Sequence, residues 1–222
     1  MKVLLIVAMT SELNGFLEKL EYEVNIISGI KVYKSKVNNV DLYIAKSEVG
    51  KVNAATLTTT LILKLKPKYV INAGIAGGLN PSINLLDVIA STKICYHDFD
   101  LTPFGLKKGE MDNGLMYFNG SKKLLSLVDE DVKKGLIVSG DQFVSGIEAM
   151  ENIKKDFKKA LACEMEGCAI AHVCTLLSKK FLIIRCISDN VFLPSHTKVY
   201  EDYKVPAISK VVSKTLSLIA KL

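Results

Sequence analysis

The sequence predicts an α/β fold: a single domain, residues 1–222, with a mixed central β-sheet flanked by helices. Three observations predict it. Continuous apolar runs such as "KVLLIVA" (2–8), "KYVINAG" (68–74) and "FLIIRCIS" (181–188) suit strands covered on both faces. Helical patterns alternate with these runs, as in α/β proteins. No repeat, linker or composition break divides the 222 residues, and a single α/β domain accommodates that length.

The elements follow in order. After the first strand, "TSELNGFLEKL" reads as a helix with Thr10 or Ser11 as N-cap. "IKVYKSKV" and "DLYIAKSEV" around "NNVD" form a hairpin. "KVNAATLTTTLILKLK" is a long helix stopped by Pro67, and "KYVINAG" is the buried strand after it. Further strands are "DVIASTKICY", "GLIVSG", "KALACEM" and "FLIIRCIS", with helices over 167–179 and about 200–221. Residues 98–120 are the one long irregular stretch, and such loops on a compact domain tend to be functional or interfacial.

Composition narrows the function classes. Hydrophobic residues make up 49% of the chain, which excludes a disordered or linker-type protein. The apolar run at the N-terminus is short and leads to Glu12 without a small-residue cleavage site, so it reads as a strand rather than a signal peptide. No segment reaches the ~18 consecutive apolar residues of a membrane span, and no membrane partner is expected. Five cysteines (95, 163, 168, 174 and 186) form no CxxC pair, and they suit buried reduced thiols in a cytoplasmic protein. Three histidines (97, 172 and 196) lack zinc-like spacing, so neither a metal nor a cofactor is expected. The formal charge is +6, yet Arg185 is the sole arginine, and the lysines are scattered without interleaved aromatics. Nucleic-acid readers favour arginine, so no nucleic-acid partner is expected.

Four strand ends carry candidate chemistry, each with a plainer alternative. Glu12 suits either a site carboxylate or a first helical turn, where the helix dipole favours it. "NAGIAGG" (72–78) is glycine-rich but neither GxGxxG nor a Walker loop; it is either a tight turn or a close backbone approach to a ligand. "EME" places Glu164 and Glu166 on one side if extended, as acceptors for sugar hydroxyls, or else opens a solvated helix. "RCISD" ends the apolar strand "FLII" with Arg185, Ser188 and Asp189, the strongest of the four signals.

In combination, "AMTSE", "EVGKVNAA", "NAGIAGGL", "YHDFDLTPFG", "GLIVSGDQF", "CEMEGCAIAHVC" and "RCISD" resemble the purine nucleoside phosphorylase and uridine phosphorylase superfamily. They are most similar to its bacterial 5′-methylthioadenosine/S-adenosylhomocysteine nucleosidases, over nearly the whole chain. The resemblance implies a nucleoside phosphorylase-like fold and hydrolysis of the bond between adenine N9 and ribose C1′. It also implies a role for each site residue. Asp189 would be the general acid at purine N7, on a desolvated strand end and oriented by Ser188. Glu12 would activate the attacking water, beside Arg185. Glu166 would hold the ribose hydroxyls, with Met165 and Glu164 nearby. Phe143 would stack on adenine, Val144 would read its edge through backbone groups, and Val49 would line the pocket. The implied assembly is a homodimer in which Phe104 covers the 5′-alkylthio group in the neighbour's site.

One position departs from the pattern: Ile75 stands where the family commonly has a serine that helps hold the water. The resemblance implies 5′-methylthioadenosine and S-adenosylhomocysteine as substrates, with 5′-deoxyadenosine a further one; the rival readings are a nucleoside phosphorylase, an aminodeoxyfutalosine nucleosidase and a non-catalytic nucleoside-binding protein. With one arginine and a glutamate where phosphate would sit, hydrolysis is favoured over phosphorolysis.

Overall fold

The computed structural model describes residues 1–190 and 196–222. Strand β1 (Lys2–Val7) is paired in parallel with β4 (Val40–Lys46) on one side and β5 (Tyr69–Gly78) on the other. Beyond β4 the sheet continues through β3 (Ile30–Val37) to the edge strand β2 (Tyr22–Ile27), both pairings antiparallel. The expected hairpin is therefore present, and Asn38 turns it with a positive φ of 51°. Strand β2 was not anticipated, because its edge position leaves it mostly exposed and without an apolar run.

On the far side of β5 the sheet curls into a closed ring. Strand β10 (Lys180–Asn190) pairs in parallel with β5 and antiparallel with β6 (Val88–Tyr96). β6 pairs in parallel with β8 (Lys133–Ser139), which pairs likewise with β9 (Ala160–Glu164). β9 then returns to β5, antiparallel, through only Gly77↔Cys163 and Gly78↔Ala162. Two strands that run head-on and overlap by two residues bring their carboxyl ends together, and this places the site. A two-residue strand, β7 (Phe118–Asn119), pairs with β6 inside the otherwise irregular 98–120 stretch.

Helix α1 (Thr10–Leu17) follows β1, and α2 (Lys51–Leu65) precedes β5, as the sequence suggests. Two unanticipated helices, α3 (Lys122–Leu125) and α4 (Ile147–Asp156), bury little, and α4 hides only Met150 and Ile153. α5 (Gly167–Leu176) and α6 (His196–Ala220) match the expected pair, with α5 three residues shorter than read from sequence and α6 starting earlier. One apolar cluster gathers α2 and α5 on one sheet face, and another gathers α1 and α6 on the opposite one.

The stretch "GIAGG" is not a tight turn. It is the second half of β5, because Gly74 to Gly78 pair with Arg185 to Asn190 along β10. The pairing skips Ser188, a β-bulge between Ile187 and Asp189.

Phe16 is fully buried among Ile208, Val211 and Val212 of α6 and anchors the helix that carries Glu12. Phe16→Ala is expected to cost about 3–5 kcal/mol, the range for deleting a core aromatic. Urea denaturation followed by circular dichroism measures it, and a loss below about 1 kcal/mol contradicts the anchoring role.

Candidate active site

A cavity of about 590 Å³, its open mouth included, lies where the carboxyl ends of β1, β5, β9 and β10 meet. Glu12, Val49, Ile75, Phe143, Val144, Glu164, Met165, Glu166, Ser188 and Asp189 all line it. Ten of the twelve residues read from sequence are thus brought to one place. The remaining two, Arg185 and Phe104, do not line it.

Glu12 is buried in the first turn of α1 and faces inward. One carboxylate oxygen accepts hydrogen bonds from the backbone N–H groups of Ala8 and Met9, both at 3.0 Å. The other accepts from Ile75 N–H, also at 3.0 Å. The isoleucine therefore contributes its backbone donor whatever its side chain. Burial raises the Glu12 carboxyl above the usual carboxylate range; the Arg185 charge and the three backbone donors act in the opposite direction and offset this only in part.

Arg185 is buried behind the cavity wall, paired with Glu164 and with the side-chain oxygen of Asn72. Its Nη1 also donates to the carbonyls of Asn72 (3.3 Å) and Ile184 (3.2 Å). The resemblance implied Arg185 beside Glu12 and the attacking water. The geometry differs, because the guanidinium is directed at Glu164 and Asn72, and Arg185 reaches Glu12 by charge alone.

Glu164 closes β9, and its four acceptor contacts are internal. Ser139 Oγ and the Arg185 guanidinium donate to it, as do the backbone N–H groups of Glu166 (3.1 Å) and Gly167 (2.7 Å) at the start of α5. Both glutamates are buried, so the segment is not a solvated helix start; the strand ends at Glu164, which accepts the N–H groups at the start of α5. Glu166 accepts from Gly50 N–H at 2.9 Å. Burial, and next the neighbouring Glu164 charge, push its carboxyl up to about 7.

Asp189 is buried at the end of β10, and Ser188 Oγ donates to its Oδ1 at 2.6 Å. The glycines of "NAGIAGG" make room for both carboxylates. A Cβ at Gly74 would overlap Glu12 Oε1, and one at Gly77 would lie 3.1 Å from Asp189 Oδ2. The close approach that the motif suggested is thus to the site's own side chains.

Phe143 and Val144 follow β8, and the Phe143 ring packs edge-on against Tyr200 of α6, centroids 5.6 Å apart. Tyr200 and Met9 complete the wall, the Tyr200 hydroxyl lying 3.9 Å from Met9 Sδ. Sequence reasoning missed Tyr200, since nothing in the pattern of α6 separates it from the neighbouring Tyr203. Phe104 sits in a short 3₁₀ turn, 81% exposed. Among the described residues no cluster of His, Cys, Asp and Glu could hold a metal, and no helix is long and apolar enough to cross a membrane.

A model of the phosphorylase superfamily matches residues 2–219. A 5′-methylthioadenosine/S-adenosylhomocysteine nucleosidase of Glaesserella parasuis is 37% identical over 204 residues, 88% of this chain and 89% of its own. The nucleosidase of the same kind from Neisseria meningitidis, solved with methylthio-immucillin-A, superimposes with a TM-score of 0.93 at 30% identity, over 100% of this chain and 99% of its own. A futalosine hydrolase from Helicobacter pylori superimposes with a TM-score of 0.92 at 27% identity, over 100% and 98%.

Because the folded Glu166 carboxyl lies above its usual value, its contribution to stability is full below about pH 4.5 and is lost as pH rises through about 7. Glu12 acts in the same direction. Glu166→Gln removes one such group, so it is expected to raise the melting temperature more at pH 8 than at pH 5. Thermal melts across that range measure the difference; an equal shift at both pH values contradicts it.

Proposed function

Since the chain belongs to the phosphorylase superfamily, we propose that it is an N-glycosidic hydrolase that cleaves 5′-methylthioadenosine and S-adenosylhomocysteine, releasing adenine and the 5-thioribose product. The observation that carries the reading is one cavity in which two of the four carboxyls, Glu12 and Asp189, are held in different ways. Glu12 is fixed by three backbone donors and Asp189 by Ser188. Glycosidic cleavage needs both a proton donor to the leaving group and a base for water.

In this reading Asp189 donates its proton to purine N7 as the bond between N9 and C1′ breaks. Ser188 keeps the carboxyl oriented. Glu12 takes a proton from the attacking water, and its inward-facing carboxylate supplies negative charge as C1′ gains oxocarbenium character. Glu166 accepts from the ribose hydroxyls, with Met165 against the sugar. Glu164 acts with Arg185 as the support beneath them. Phe143 stacks on adenine with Tyr200 behind it, Val144 reads the purine edge through its backbone, and Val49 and Ile75 complete the walls. Phe104 is exposed and does not line its own cavity, in keeping with a homodimer in which it covers the partner's 5′-alkylthio group. A thioether suits such apolar cover, because it brings few polar groups to desolvate.

Phosphorolysis is disfavoured. The sole guanidinium is committed to Glu164 and Asn72, and Glu12 occupies the place where phosphate would be repelled. The likeness to a futalosine hydrolase keeps aminodeoxyfutalosine in view as a second substrate, alongside 5′-deoxyadenosine.

Adenine release is expected to proceed without phosphate and to yield the free sugar; strict phosphate dependence with a sugar 1-phosphate product overturns the hydrolase reading. Asp189→Asn is expected to lower kcat by at least about 10²-fold while nucleoside binding persists, and near-normal turnover in this variant contradicts the general-acid role. Glu12→Gln is expected to lose hydrolysis to a similar degree. A panel of 5′-methylthioadenosine, S-adenosylhomocysteine, 5′-deoxyadenosine, aminodeoxyfutalosine, adenosine and inosine sets the specificity, and ligand binding without any product marks a non-catalytic binder.

A further inference from the structure

Resting on that reading, we propose that Lys51, Asp98 and Asp141 form a positioning latch that fixes the nucleobase-binding segment relative to Glu166. These residues come from three separate segments: the start of α2, the chain just after β6, and the chain just after β8. They close a ring of charge-assisted contacts. Lys51 Nζ donates to Asp98 Oδ2 at 2.7 Å, and Asp141 N–H donates to the same oxygen at 2.9 Å. Lys51 N–H then donates to Asp141 Oδ1 at 2.8 Å, with the ammonium 3.8 Å from Asp141 Oδ2. The ammonium also lies over the Tyr96 ring, 5.4 Å from its centroid.

Two of the three segments lead directly into the cavity. Gly50, one residue before Lys51, donates its N–H to Glu166. Gln142, Phe143 and Val144, the residues after Asp141, line the wall. Helix α2 has no side-chain cap of its own, so Glu166 and Asp141 accept its first N–H groups from outside. Gly50 suits this crossing: its φ is +100°, and a Cβ there would lie 3.4 Å from Asp141 Oδ1. Burial alone would raise the Asp98 carboxyl, but the bonds from Lys51 and Asp141 hold it below the usual range, so it is an ionised partner at neutral pH. None of the three residues lines the cavity, so the latch acts by placing others.

The test compares Lys51→Met, Asp98→Asn and Lys51→Arg with the wild-type enzyme on 5′-methylthioadenosine. Lys51→Met and Asp98→Asn are expected to raise KM roughly tenfold while kcat changes by less than about twofold, and Lys51→Arg to restore most of the affinity. The partly exposed ion pair is screened by salt, so the wild-type KM is expected to climb between low and high ionic strength while that of Lys51→Met stays flat. Unchanged KM in both variants, or a loss confined to kcat, overturns the latch. Hydrogen exchange of the amides of residues 142–144 gives a readout independent of turnover. It is expected to quicken in Asp98→Asn, and unaltered exchange also overturns the proposal. A wild-type protein that releases no adenine from any nucleoside instead counts against the hydrolase reading, and exchange alone then judges the latch.

Discussion

Four buried carboxyl groups share one cavity with a single guanidinium behind it, and much of the architecture follows from that imbalance. Burying a carboxylate is costly unless its charge is balanced by partners or removed by a proton. The chain uses a different solution for each group. Glu164 takes the Arg185 pair and two helix-start amides, forming a closed network at the floor. Glu12 takes three backbone donors from the end of β1 and the middle of β5. Glu166 keeps one backbone donor and holds a proton more readily than a solvated glutamate. Asp189 is tied to the hydroxyl of its neighbour. A site with excess negative potential suits chemistry in which positive charge develops on the sugar.

Such an arrangement requires many strand ends at one point, and the closed ring supplies them. Strands β5 and β10 point one way while β6, β8 and β9 point the other, so an open sheet would send their carboxyl ends to opposite edges. Closing the ring through the two-residue overlap of β9 with β5 makes both sets converge. The glycine run is where they meet. Its lack of side chains lets acidic groups from α1 and β10 press against the backbone of β5, and its pairing with β10 along its length, joined by β9 at Gly77 and Gly78, keeps it extended.

Much of this was legible in the sequence because buried parallel strands are long unbroken apolar runs, and polar residues at their ends stand out. Glu12, Glu164, Glu166, Ser188 and Asp189 were recognised in that way. What periodicity does not report is direction and partnership. Arg185 looked like a cavity residue because it follows "FLII"; three-dimensional pairing sends it to Glu164 and Asn72 instead. "GIAGG" looked like a possible turn because glycine composition alone does not reveal that β10 pairs with it along its length. Edge strand β2 and the short α4 bury too little to leave a pattern, and Tyr200 reaches the wall only through the way α6 packs.

The single-residue bulge at Ser188 sets a boundary on how this site can change. Alternation along a strand assigns successive side chains to opposite faces, and the extra residue exchanges the faces of everything that follows. Substitution can weaken or retune the carboxyl at 189, but it cannot alter which way that position looks. Losing or gaining one residue between 185 and 189 would do so at once, leaving composition and hydropathy almost untouched. At the end of β10, therefore, a change of length would move Asp189 to the other face, and spacing there carries information that residue identity does not.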